Sequence, residues 1–279
     1  MTPATERVDS GLGVLDSGEL RLIRAFEALV LSWAAQAGAV ERRYPFLVRP
    51  GDLDTIDYYE NFPHLGLAVS AADPERLTAY RASAGGPVAT LPADVLDDAR
   101  LALPSAACYS VYFDLRGQEL ASESAIYTTV ATCFRNEERY EGLRRLLGFS
   151  MREIVFVGPA QGAKDHLAWG KDLVLGLAGR LGIPLRTEVA TDPFFDRNGS
   201  RAKLQQLFPT KEEFVVDGLA IGSVNYHRNF FGERCAILLP DGQPAHTSCL
   251  AFGLERWVHV LTSHFADAAA AAEALAEIQ

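Results

Sequence analysis

Two runs rich in β-branched and aromatic residues, "AIYTTVATCF" (125–134) and "MREIVFVG" (151–158), bracket a short loop dense in arginine and glutamate. Runs of this kind, so close in sequence, predict adjacent antiparallel strands of one sheet. Side chains alternate along a strand, so Cys133, Arg135 and Glu137 face one side and Phe134 and Asn136 the other. A thiol, a guanidinium and a carboxylate in one row are poor core material, and they predict a polar site. The alternative is a solvated strand face whose charges pair with cross-strand neighbours.

The remaining pattern fits a sheet of this type. "ELRLIRAFEALVLSWAAQAGAVER" has apolar residues at helical spacing and predicts a helix over about 18–41. "RYPFLVRPGDLDTIDYYENFPHLG" reads as an irregular connection or short edge strand, and "DPERLTAYRAS" and "PADVLDDARLA" as short helices opened by proline. "CYSVYFDLRGQELA" reads as a hairpin turning at Arg116-Gly117. A helix over 163–182 should stop at Gly182-Ile183-Pro184, with a short strand at "LRTEVA" after it. "VDGLAIGSVNYH" and "RCAILLPDGQPAH" give further strands, the second with a turn at Asp241-Gly242. "CLAFGLERWVHVLTSHF" passes from strand into helix, and an Ala-rich helix closes the chain. Strands joined through hairpins, with helices set apart, predict an α+β fold on an antiparallel sheet, a single domain over residues 1–279.

Composition narrows the function classes. Twenty-six basic residues against 36 acidic give a net charge of -10, which argues against sequence-independent nucleic-acid binding. The apolar stretches are too short to span a bilayer and the first residues lack a signal peptide's hydrophobic region, so the expected compartment is the cytoplasm, away from membranes. Four scattered cysteines (Cys108, Cys133, Cys235, Cys249) suit buried thiols or a metal site better than a disulfide framework.

The hairpin resembles motif 2 of the class II aminoacyl-tRNA synthetases: "FRNE", an Arg-rich loop, then "GFSMRE" on the returning strand. "CLAFGLERWVHVL" resembles motif 3 of the same superfamily, and motif 1 falls around Tyr44-Pro45. Together with "CYSVYFDLRG", "DPFF", "NYHRNFFG" and "DGQPAHTS", these segments are similar to the amino acid:[carrier protein] ligases. That family comprises truncated homologues of the atypical, zinc-dependent seryl-tRNA synthetases, and the likeness runs from about residue 100 to 262. It implies the class II catalytic fold, a homodimer, and activation of an amino acid as its adenylate. Transfer to the phosphopantetheine thiol of a carrier protein would follow. A tRNA-aminoacylating enzyme and a catalytically silent paralogue that binds ATP or an amino acid are the rivals.

The resemblance also implies roles. Arg135 would contact the α-phosphate of ATP and the substrate carboxylate, Glu137 the adenine amino group, and Phe149 would stack on adenine. Arg144 or Arg145 would hold the outer phosphates and Arg256 would lie near the γ-phosphate. Glu153 would project towards the amino acid. Apart from the resemblance, Asn225 and Ser223 on the strand before motif 3 are candidate ligands for Mg2+ or substrate, the alternative being that they only satisfy the backbone. The chemistry needs no nucleophilic side chain: a carboxylate attacks the α-phosphorus, and what matters is holding two anions together. Arginine serves because it stays ionised and grips phosphate through a planar fork.

Zinc in the family is held by Cys, Glu and Cys with the fourth position open to the substrate amine. Cys133 and Cys249 match the two cysteines on the resemblance. The helix over 163–182 has no glutamate, so Asp172, or alternatively His166, would complete the set, or nothing does and the metal is lost. Cys108 and Cys235 read as buried core thiols, and His227 and His246 as hydrogen-bonded structural histidines.

Overall fold

The computed structural model describes residues 11–196 and 198–278. Helix α1 (Ser17–Gln36) starts on a capping box in which Asp16 accepts from the Gly18 and Glu19 amides while Glu19 accepts from the Asp16 amide. It stops five residues short of the predicted end because Gly38 takes φ +70 and turns the chain into strand β1 (Val40–Glu41). The Pro/Gly/aromatic stretch folds into two short helices, α2 (Pro50–Thr55) and α3 (Tyr58–Asn61). A small ribbon of β2 (Leu67–Val69) and β3 (Leu101–Leu103) flanks α4 (Pro74–Ser83), whereas "PADVLDDARLA" supplies only a 3-10 turn before β3.

The predicted hairpin at "CYSVYFDLRGQELA" is instead helix α5 (Cys108–Asp114). Its strand-like composition yields to packing: Cys108, Val111 and Tyr112 fall on one helical face, and Tyr112 stacks on Phe231 at 3.9 Å. The motif 2-like runs form β4 (Ala125–Phe134) and β5 (Gly148–Gly158), followed by α6 (Ala160–Leu181), which ends at Gly182 with φ +69 as its sequence predicts. Then come β6 (Arg186–Val189), α7 (Ser200–Leu207), β7 (Lys211–Val216), β8 (Leu219–Arg228) and α8 (Phe230–Arg234). Strand β7 escapes the sequence reading because its first half, Lys211-Glu212-Glu213, is polar. The strand expected at "RCAILLPDGQPAH" is reduced to isolated bridges at Leu238, as α8 takes up its start. Strand β9 (His246–Gly253) passes directly into α9 (Leu254–His264), and α10 (Ala268–Ala276) follows.

Seven strands form one sheet in the order β1-β4-β5-β9-β8-β7-β6, antiparallel except for the parallel edge strand β1. Its two faces serve different ends. Ile154, Leu250, Phe252 and Val224 face a helical layer of α1, α6, α9 and α10, where Phe26 stacks on Trp257 at 4.4 Å and both are buried. Arg152 lies on that side too, buried between Glu27 (2.9 Å) and Glu41 (3.0 Å), an ion pair that ties α1 and β1 to β5. Tyr127, Val155, Cys249 and Ala251 face the other way, towards α5 and α8. That second face is only partly covered, and a cavity opens on it.

Candidate active site

On the open face the cavity measures about 580 Å3 and runs from α3 and α5 across β5, β9 and β8. A narrower one of about 90 Å3 adjoins it beneath the β4–β5 loop and the start of α9.

The narrow cavity gathers Arg135, Glu137, Arg144, Arg145, Phe149 and Arg256, the residues expected around a nucleotide. Arg135 lies over the Phe149 ring at 5.0 Å, with its Nε (3.3 Å) and Nη2 (3.1 Å) donating to the Ser105 carbonyl. Arg145 is ion-paired with Glu137, and Arg144 with Glu141 at 2.9 Å. Arg256 donates to the carbonyls of Arg144 and Ala220, both at 2.8 Å, so the loop of β4–β5 and the head of α9 are joined by one guanidinium. Burial, aided by Arg135 and Arg145 nearby, pulls its pKa down to about 10. Cations crowded at such cost mark a place for an anion.

A second group lies deeper in the wide cavity. Cys108 from α5, Glu153 from β5 and Cys249 from β9 bring their Sγ, carboxylate oxygen and Sγ within 4.8 Å of one another, and all three are buried. Glu153 is 1 % exposed; the Ala107 amide donates to its Oε1 at 2.9 Å, and among the described residues its Oε2 has no hydrogen-bond partner. Burial pushes its carboxyl above the ordinary range, and the Cys108 thiol is pushed up by its hydrogen bond with Cys249 and by burial. Asn225 donates from Nδ2 to the Cys249 Sγ at 3.3 Å and to Ser223 Oγ at 3.0 Å. An orphaned carboxylate oxygen facing two thiols is a donor set that suits zinc.

The ligand set read from the sequence is therefore corrected at two positions. Cys133 pairs with Phe149 and Cys249 with Val155, six residues apart along β5, which separates them by about 20 Å. Cys133 is a buried thiol whose pKa burial raises. Asp172 is exposed on α6, and α6 covers the opposite face of the sheet. His166 is on that face as well, with Nδ1 3.0 Å from the Oγ of Ser248, whose side chain points away from that of Cys249. The group that the structure does bring together contains Cys249 from that set, Cys108 in place of Cys133, and Glu153, expected to face the amino acid, as its carboxylate. No short-range spacing marks Cys108, 45 residues before Glu153. A usable signal was present at Glu153, a lone carboxylate in an apolar strand.

Comparison with known proteins bears on the fold and the family. No family model matches the chain. The chain is 32% identical over 249 residues to amino acid--[acyl-carrier-protein] ligase 1 of Bradyrhizobium diazoefficiens, covering 84% of this chain and 74% of that one. The chain belongs to the amino acid--[acyl-carrier-protein] ligases. A second ligase of the same organism, amino acid--[acyl-carrier-protein] ligase 2, is 32% identical over 247 residues, or 82% of this chain and 71% of that one. Among solved structures, M. kandleri seryl-tRNA synthetase, crystallised with A. aeolicus tRNASec, superposes with a TM-score of 0.76 at 17% identity. The overlap covers 99% of this ligase and 60% of that chain, so the ligase spans about three fifths of the synthetase. Pyrococcus horikoshii seryl-tRNA synthetase, solved with ATP, gives 0.64 at 14% identity, covering 94% and 55%. These likenesses establish the class II synthetase fold expected from motifs 2 and 3.

Proposed function

We propose that this ligase activates an α-amino acid with ATP and passes the aminoacyl group to the phosphopantetheine thiol of a carrier protein. The observation that carries the reading is the meeting of two cavities at Arg135, one lined by arginines and one holding the buried Cys108, Glu153 and Cys249. A carboxylate oxygen of the amino acid attacks the α-phosphorus, the bond to the bridging oxygen breaks, and pyrophosphate leaves with that electron pair. Arg135 stands at the junction, where it can grip the carboxylate and the α-phosphate. Arg145, Arg144 and Arg256 would neutralise the outer phosphates, with Phe149 and Glu137 on the base. Magnesium would enter with ATP, and Glu213 and Ser223 border the phosphate cavity where it would be met.

Cys108, Glu153 and Cys249 would hold zinc. With a fourth position open, zinc would bind the substrate amine. Asn225, hydrogen-bonded to the Cys249 sulfur, would fix the orientation of that thiolate.

The acceptor in this reading is a carrier protein and not tRNA, which the net charge of -10 supports. A homodimer and a cytoplasmic location belong to the same reading. Edge strand β1, with Val40 exposed, is the element a second copy would meet. Among the described residues no helix is long and apolar enough to cross a membrane.

Amino-acid-dependent exchange of pyrophosphate into ATP, followed by mass detection of a thioester on a phosphopantetheinylated carrier protein, tests the proposal. Exchange absent with every amino acid would favour the silent ATP- or amino-acid-binding paralogue. Ester on tRNA in place of the thioester would favour the synthetase.

A further inference from the structure

We infer that Lys211, the first residue of β7, is a catalytic residue that binds the reacting α-phosphate opposite Arg135; this rests on the adenylate-forming reading above. Among the described residues four border both cavities, Arg135, Met151, Ser223 and Lys211, and the two charged ones are both cations. The carboxylate and the α-phosphorus must meet at that junction, where the pentacoordinate phosphorus carries its greatest negative charge.

The sheet register places Lys211 for this role. Lys211 pairs with Asn225, and Asn225 with Cys249, so one row across β7, β8 and β9 runs from the ammonium to the metal group. Two strand spacings make that row about 10 Å long, and directly paired residues put the Lys211, Asn225 and Cys249 side chains on one face of the sheet. An α-amino acid in this cavity, with its amine beside Cys108, Glu153 and Cys249, would have its carboxylate on the side that Arg135 and Lys211 border.

Charge supports the same conclusion. Burial works against the Lys211 ammonium, but Asp192 (3.2 Å) and Glu213 (3.1 Å) keep it ionised and raise its pKa. Arg135 opposes them, and this repulsion between the two junction cations is what an arriving phosphate relieves. Anchoring Asp192 does not require the lysine. Gln205 already holds Asp192 twice, accepting from its amide at 2.8 Å and donating to its Oδ2 at 3.1 Å.

Exchange of pyrophosphate, measured with the zinc-loaded protein, is the test. Lys211→Met should lower kcat by about 100-fold or more while the KM for ATP stays within about threefold, the loss expected for one transition-state donor. Lys211→Arg should stay within about tenfold of wild type, as should Asp192→Asn, because the cation survives in both. Should Lys211→Met fail to fold, the double variant Lys211→Met/Asp192→Asn, which removes both charges of the pair, is read in its place. Wild-type exchange in Lys211→Met, or an equal loss in Asp192→Asn, would overturn the inference and leave the adenylate reading standing. A wild-type protein that exchanges with no amino acid would overturn both.

Discussion

Replacing Glu153 by glutamine separates the metal reading from a merely structural one, because the two forms of the site respond in opposite directions. Glutamine keeps the volume and can accept from the Ala107 amide through its own oxygen, but it removes the charge from a carboxylate that is 1 % exposed with one oxygen unpartnered. Without metal, that desolvated carboxylate is a cost, so the metal-free variant should exceed the metal-free wild type by about 1–3 kcal/mol. With free zinc at about a thousand times the wild-type Kd, binding adds about 4 kcal/mol to the wild type. A variant binding about 100-fold more weakly gains only about 1.4 kcal/mol under the same conditions. At roughly 2 °C per kcal/mol for a chain of this size, zinc should raise Tm by about 8 °C in the wild type and about 3 °C in Glu153→Gln. Calorimetry with chelator and with zinc, alongside metal content on the same samples, measures all four values. An equal zinc-dependent rise in both proteins, or a metal-free variant less stable than metal-free wild type, refutes the reasoning.

Other consequences are narrower. Arg135→Ala should abolish pyrophosphate exchange while changing Tm by only a few degrees, since its guanidinium bonds one carbonyl and a ring face; exchange at the wild-type rate would sink its assignment. Gly232→Ala should destabilise by about 3 kcal/mol in denaturant titrations, because a Cβ there would lie 2.1 Å from the Ala245 carbonyl oxygen and 2.7 Å from its nitrogen, and backbone yields poorly. His166, buried between Phe156 and Trp169, has its pKa lowered from 6.5 to about 4 by burial. The unfolded chain therefore takes up that proton first as pH falls. The stability this histidine contributes is present above pH 6.5 and lost down to about 4, at about 1.4 kcal/mol per pH unit. His166→Asn should reduce the slope of stability against pH by one proton over that window, while the slope from His227, similarly lowered by burial, persists.

Local sequence carried the elements whose signals are local. The β4–β5 pair, the stop at Gly182 and the passage from β9 into α9 are written in residue type and periodicity, and each forms as its pattern predicts. The grouping of the residues expected around a nucleotide has the same local origin: Arg135, Glu137, Arg144, Arg145 and Phe149 sit on one hairpin, and with Arg256 they border one cavity. Where a stretch satisfied two patterns, packing chose. "CYSVYFD" has strand composition and became a helix because Cys108, Val111 and Tyr112 bury together only at helical spacing. The Cys108, Glu153 and Cys249 group depended on packing most of all. The resemblance paired Cys133 with Cys249, but the register shows that six residues of β5 separate them. That Cys108 meets Glu153 and Cys249 required a helix 45 residues upstream to dock on the sheet. Lys211 likewise acquired its place from a row across three strands. The sequence by itself determined which chemistry this ligase could hold, since arginines, thiols and carboxylates are fixed by residue type. Tertiary structure decided which of them share a cavity, because distance between strands and helices is set by register and docking and not by separation along the chain.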